Sequence, residues 1–145
     1  MTTPAAADID GAVTDWLRAD PAILAALPDG VYFKTAPEGA ARYAIVDLAD
    51  APDVVRVFPG DVAWETIRYE IAAIVQDSSA MPARDAAAAI RARMDDAPIP
   101  IAGYRLINAE YKHATRNESI DDTTGRRWQY IGGLYEISAQ PLPED

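Results

Sequence analysis

The chain has 145 residues, 50% of them hydrophobic and 25% charged, proportions that suit one ordinary globular domain spanning 1–145. Thirteen basic against 23 acidic side chains leave a net charge of −10, spread along the chain. That balance argues against specific nucleic-acid binding and against electrostatic attachment to an anionic membrane. No apolar run approaches the ~20 residues of a membrane span, and without cysteine there is neither a disulfide nor a thiolate metal site.

Residues 1–7 read as a flexible leader without the basic and apolar regions of a signal peptide. Ile9, Val13, Trp16 and Leu17 recur at helical spacing and predict an amphipathic helix capped near Asp8 or Asp10 and weakened by Gly11. Asp20-Pro21 opens a short second helix carrying Ile23, Leu24 and Leu27, and Pro28-Asp29-Gly30 ends it as a turn. Strands are predicted over 31–34, 43–48 and 54–58. The third leads through Pro59-Gly60-Asp61 into a long central strand over 64–76.

That central strand alternates cleanly. Ile67, Tyr69, Ile71, Ala73 and Val75 fall on one face, and Thr66, Arg68, Glu70 and Ala72 on the other, with Ile74 its one large apolar member. Asp77-Ser78-Ser79 supplies capping candidates for a helix with Pro82 in its first turn. Ala83, Ala86, Ala87, Ile90 and Met94 form one stripe of it, so Ile71 and Ile90 are expected to face each other. Residues 97–101 are a stiff connector, 103–113 a strand, 114–125 a polar loop, 126–139 a final strand, and 140–145 a flexible tail. Gly132-Gly133 predicts a bulge or a close backbone neighbour. The fold class is α+β, an antiparallel-rich sheet of about six strands packed against two helices.

No phosphate-binding glycine loop, zinc-ligand spacing or nucleophile elbow appears, so no catalytic, cofactor-binding or metal-ligating residue is predicted. His113 reads as a surface residue and Asp121-Asp122 as a solvated turn. Glu65 and Glu70 differ in parity and cannot form a close carboxylate pair. The remaining candidates are contacts between proteins. Trp128, Tyr130 and Tyr135 follow Arg126 and Arg127, an aromatic and arginine cluster of the kind enriched at interfaces, or else ordinary cross-strand pairs. With Arg116, Glu118, Asp121 and Asp122 from the polar segment, Arg126, Arg127 and Trp128 form the candidate assembly interface. The segment is expected to be mobile in a free monomer and to order on docking, with an idle hairpin tip as the plain alternative.

The ordered set of motifs resembles the tail terminator (tail completion) proteins of long non-contractile-tailed bacteriophages and gene-transfer particles. It comprises the opening helix over 12–23, Gly30-Val31-Tyr32-Phe33, the alanine-rich helix over 83–91 and the closing stretch over 124–135. The resemblance implies an α+β fold, a homo-oligomeric ring that is hexameric in the family, and a structural role without catalysis. Such a ring caps the tail tube, ends its growth and offers a joining surface to the head–tail connector, and DNA passes through it. Its place would be the virion tail, assembled in the host cytoplasm. The charge of −10 then suggests acidic residues facing the channel. Two other readings stay open: a head–tail stopper, or a small-molecule-binding or enzymatic domain with a pocket between helix and sheet.

Overall fold

The computed structural model describes residues 6–50, 53–57 and 61–142, with side chains over 9–50 and 64–142. Helix α1, Ala6–Arg18, buries Ile9, Val13 and Leu17 completely. It is already helical at Ala6, so residues 6 and 7 are not a leader, and Asp10 lies inside the helix rather than capping it. Residues 1–5 of the expected leader lie outside the described residues. Helix α2, Pro21–Ala26, is capped as expected: Asp20 accepts the Ala22 N–H at 3.1 Å. It buries Ile23, and Leu27 beyond its end is buried too, while Leu24 stands 40% exposed. In the turn after it the Asp29 carboxylate accepts the amides of Ala41 and Arg42 at 2.8 and 2.9 Å. Gly30 takes φ +102°, which an L side chain rarely adopts.

Six strands make one sheet: β1 Val31–Phe33, β2 Arg42–Leu48, β3 Asp53–Val57, β4 Asp61–Gln76, β5 Tyr104–Asp121 and β6 Arg127–Pro141. Five lie in the order β1-β2-β4-β6-β5, and β3 pairs β4 beside β2. Only β1 and β2 run parallel. One edge of β4 is shared, β3 pairing with its first half and β2 with its second, while β6 pairs with its other edge from Glu65 to Gln76. The central strand therefore sits inside the sheet along most of its length.

Burial on β4 follows the predicted parity. Ile67, Tyr69, Ile71, Ala73 and Val75 are at most 2% exposed, and this face carries the helices. Helix α3, Met81–Met94, buries Ala83, Ala86, Ile90 and Met94. Ile71 and Ile90 are both buried, and they border the same recess between strand and helix. No side chain caps the Ala80 position of α3; Ser79 Oγ accepts the Met81 N–H at 3.2 Å instead, and the Asp77 carboxylate the Ser79 N–H at 2.8 Å. Trp16 of α1 joins α3 reciprocally. Its Nε1 donates to the Arg93 carbonyl at 3.0 Å, and Arg93 Nε returns a bond to the Trp16 carbonyl at 3.0 Å. The Arg93 guanidinium lies 3.5 Å from the Trp16 ring centroid. With α2 counted, three helices rather than two cover this face.

The opposite face of the sheet is polar in its first half. Thr66 Oγ1 meets Ser138 Oγ at 3.0 Å, and Arg68 pairs with Glu136 at 3.1 Å. Farther along, Ala72 and Ile74 are buried there as well. They lie between Ile45 and Gly132 and between Tyr43 and Tyr130, which shield them across the strands.

The polar stretch 114–125 is not a loop. Strand β5 runs on to Asp121 and β6 starts at Arg127, so only 122–126 connect them. Residues 112–121 are exposed, because β5 is the edge strand and α3 does not reach over its distal half. A strand without cover on either face needs no apolar alternation, so its sequence reads like a loop. Its partner supplies the order: Arg116–Asp121 pair in register with Gly132 back to Arg127. At the other end, residues 140 and 141 complete β6 rather than opening a tail, and the Leu142 N–H donates to the Gly103 carbonyl at 2.9 Å. Residues 143–145 of the expected tail lie outside the described residues.

Candidate assembly surface

All seven predicted interface residues come together at the distal end of the β5–β6 hairpin, on two faces of it. Strand parity puts Arg116, Glu118 and Trp128 on the polar face and Asp121 and Arg127 on the helix side, while Asp122 and Arg126 belong to the tip. Most of their charge is already used within the chain. Arg127 grips Asp121 through Nε and Nη2 at 2.9 and 3.3 Å, which holds the Asp121 carboxyl below its ordinary value. Arg116 reaches Glu70 at 3.4 Å and lies 5.8 Å from the Tyr130 ring centroid.

Asp122 builds the tip. Its Oδ1 accepts from the Thr124 amide at 2.8 Å, the Thr124 hydroxyl at 2.7 Å and the Arg126 amide at 3.0 Å. Its Oδ2 accepts Trp128 Nε1 at 2.9 Å. These donors favour the ionised form, the Thr124 hydroxyl and Trp128 foremost, and depress the Asp122 pKa strongly. Gly125 at φ +83° completes the turn. The tip is thus a built Asx turn. Glu118 and Arg126 form no side-chain ion pair or hydrogen bond among the described residues.

Parity splits the expected aromatic cluster. Trp128 and Tyr130 stand on the polar face, but Tyr135 points to the helix side, where it is 3% exposed and its ring centroid is 5.4 Å from that of Tyr111. Burial raises its phenol pKa, which makes it a poorer acid. His113 is exposed, as expected, with Nδ1 3.0 Å from the Ala114 carbonyl. Trp64 is 40% exposed.

Two features lie beyond the reach of the sequence patterns. One is the pair Asp10 and Tyr69: the buried Tyr69 hydroxyl donates to the Asp10 carboxylate, and desolvation raises the Asp10 pKa while Tyr69 and Lys34 oppose the rise. Nothing in sequence spacing joins residues that distant. The other is a recess of about 230 Å³ between α3 and the sheet. Ala87 and Ala88 line it from the helix and Gly132 and Gly133 from β6, with Ile71, Ile131 and Tyr111 around them. Its one signal is the small residues of both elements. Here Gly133 is hemmed in, since a Cβ on it would stand 3.0 Å from Tyr111 and 3.2 Å from Tyr135. A Cβ on Gly132 would stand 2.8 Å from Thr115 Oγ1. Thr115 is an extra residue in β5, one of three places where the register shifts, so the bulge lies in the partner strand rather than at the glycines, and their nearest neighbours are side chains rather than backbone.

No cluster of three or more potential metal ligands occurs among the described residues. Nor is any helix there long and apolar enough to cross a membrane.

Comparison with known proteins places this geometry. A solved chain from the virion of a native gene transfer agent particle shares the fold with a TM-score of 0.73. It is 21% identical over 96% of this chain and 99% of its own. A second solved chain has a TM-score of 0.52 at 18% identity, over 95% of this chain and 94% of its own. No curated protein matches. The profile of the family described as tail completion protein gp17 matches residues 11–129, from α1 to the start of β6. On the extent of that match, the chain belongs to the tail completion protein family and is a structural protein of a phage-type virion.

Proposed function

We propose that this protein ends tail elongation as a tail terminator. In this reading several copies close into a ring, hexameric as in related terminators, that caps the last ring of the tail tube. One ring face complements the tube protein, and the other refuses a further tube subunit and accepts the head–tail connector. A ring with two unlike faces needs head-to-tail contacts that close by rotation. The observation that carries the reading is the family match over residues 11–129. The fold shared with a chain of a gene transfer agent particle over nearly its whole length supports it.

The role is structural and needs no catalyst. The recess under α3 is the kind of pocket a ligand-binding domain would use, yet its ionisable lining is Arg91, Tyr111 and Tyr135 alone. Those groups offer no base near a nucleophile. DNA would traverse the ring without specific contacts, and the charge of −10 favours an acidic channel that repels phosphate. The protein would assemble in the host cytoplasm and remain in the virion tail. The hairpin tip, with Glu118 and Arg126 unengaged among the described residues, is the surface that would meet a neighbouring ring or subunit.

Deleting the gene tests the reading directly. The expected result is overlong tail tubes and tailless heads, both restored to normal by the gene in trans. Tails of normal length that fail only at head joining would instead identify a stopper. Unaltered particles would end both readings.

A further inference from the structure

Small residues on both sides of the α3–β6 interface leave the recess open and apolar, with Ile71 and Ile90 in its wall. An apolar cavity of roughly 150 Å³ already accepts a benzene-sized group, so about 230 Å³ has room for one aliphatic side chain. Arg91 stands at its edge, the guanidinium 4.0 Å from the Tyr111 ring centroid. That cation has no carboxylate partner among the described residues. An apolar recess beside a cation that has no carboxylate partner among the described residues selects an apolar side chain with a carboxylate close behind it.

The chain carries such a segment in Leu142-Pro143-Glu144-Asp145. Leu142 is 49% exposed, and its amide is tied to the Gly103 carbonyl, so its position is set. The segment cannot reach the recess of its own molecule. Gly133 lies eight residues (141 − 133) before Pro141 along β6, about 26 Å at ~3.3 Å per residue. Four residues span at most roughly 14 Å. Recess and segment are therefore different surfaces of one molecule, as a head-to-tail contact requires.

We propose that the recess between α3 and β6 receives Leu142 of a neighbouring copy, with Glu144 of that copy opposite Arg91. The contact deepens the ring reading and rests on it. It makes each subunit donor to one neighbour and acceptor of the other.

The absence of native cysteine allows a direct test. Ala88 lines the recess and is exposed, as is Leu142, so cysteine at either position leaves the core untouched. In assembled tails and in concentrated protein, mild oxidation of the Ala88→Cys, Leu142→Cys double variant should yield a covalent ladder of multimers. Each single variant should stop at dimers or below. Arg91→Glu should weaken self-association at least tenfold, and Glu144→Arg in the same chain should restore it, with circular dichroism unchanged. Rings that form without a ladder, or a charge reversal without effect, would overturn this contact and leave the terminator reading standing. A protein that is monomeric at every concentration and in particles would overturn both.

Discussion

Strands β4 and β5 have nearly equal length, 16 and 18 residues, and occupy opposite situations in one sheet. β4 is flanked on both edges along most of its length and covered by helices on one face, so alternate side chains from Ile67 to Val75 enter the core. The distal half of β5 has one neighbour and no cover, and its side chains are free to be polar. An alternating pattern therefore records burial rather than extended backbone. Where burial is absent, only the partner strand reports the conformation.

The comparison breaks most sharply under truncation. Ile71→Ala or Ile90→Ala should cost about 2–5 kcal/mol, since both side chains are at most 2% exposed in the strand–helix interface. Ile120→Ala on the distal edge, 46% exposed, should cost about 0.5 kcal/mol or less. Urea unfolding of the three variants measures both, and comparable losses at all three positions would mean that the distal half of β5 packs as tightly as β4.

Next in size is Tyr69→Phe. It leaves the partly buried Asp10 carboxylate without its hydroxyl donor and should cost about 1–3 kcal/mol. Adding Asp10→Asn should recover part of that loss, and a double-variant cycle without coupling would show that the pair contributes nothing.

The same pair predicts a pH signature confined to the helix side. Burial raises the folded-state pKa of Asp10 above its ordinary value of 3.8. The protonated carboxyl is thus favoured in the fold, so its contribution is fully present below about pH 3.8 and lost as pH rises through the raised value. Unfolding midpoints measured against pH should show this loss in the native protein and not in Asp10→Asn. An identical profile in the two would contradict it.

The smallest effect belongs to the tip. Asp122→Ala removes the acceptor for Thr124, Arg126 and Trp128. Amide exchange should quicken over 122–128 while the melting temperature barely moves. A global loss of stability would show that the tip supports more than its own turn.

Much of the fold is legible in the sequence because its signals are local. The parity of 67–75 on β4, the Asp20-Pro21 start of α2 and the alanine stripe of α3 each follow from neighbours in sequence, and each appears where expected. Of the candidate site, the residue set is legible but its state is not. In sequence, Asp121, Asp122 and Arg116 look like free charges in a loop and Arg127 like another at its exit, yet they are engaged by Arg127, by the turn donors, by Glu70 and by Asp121. Strand pairing brings Asp121 to Arg127 and Arg116 to Glu70, while the turn itself holds Asp122.

By itself, then, the sequence determined the buried stripes, the Asp20 cap of α2 and the turn at Pro28-Asp29-Gly30, because backbone geometry converts spacing into faces with no reference to distant chain. The tertiary structure alone decided that β5 continues to Asp121, that Tyr135 and Trp128 face opposite ways, and that Asp10 meets Tyr69. It also decided where the alanines of α3 and the glycines of β6 would leave a recess. Each of these depends on which strand lies beside which and in what register, and small residues state only that something comes close, not what it is.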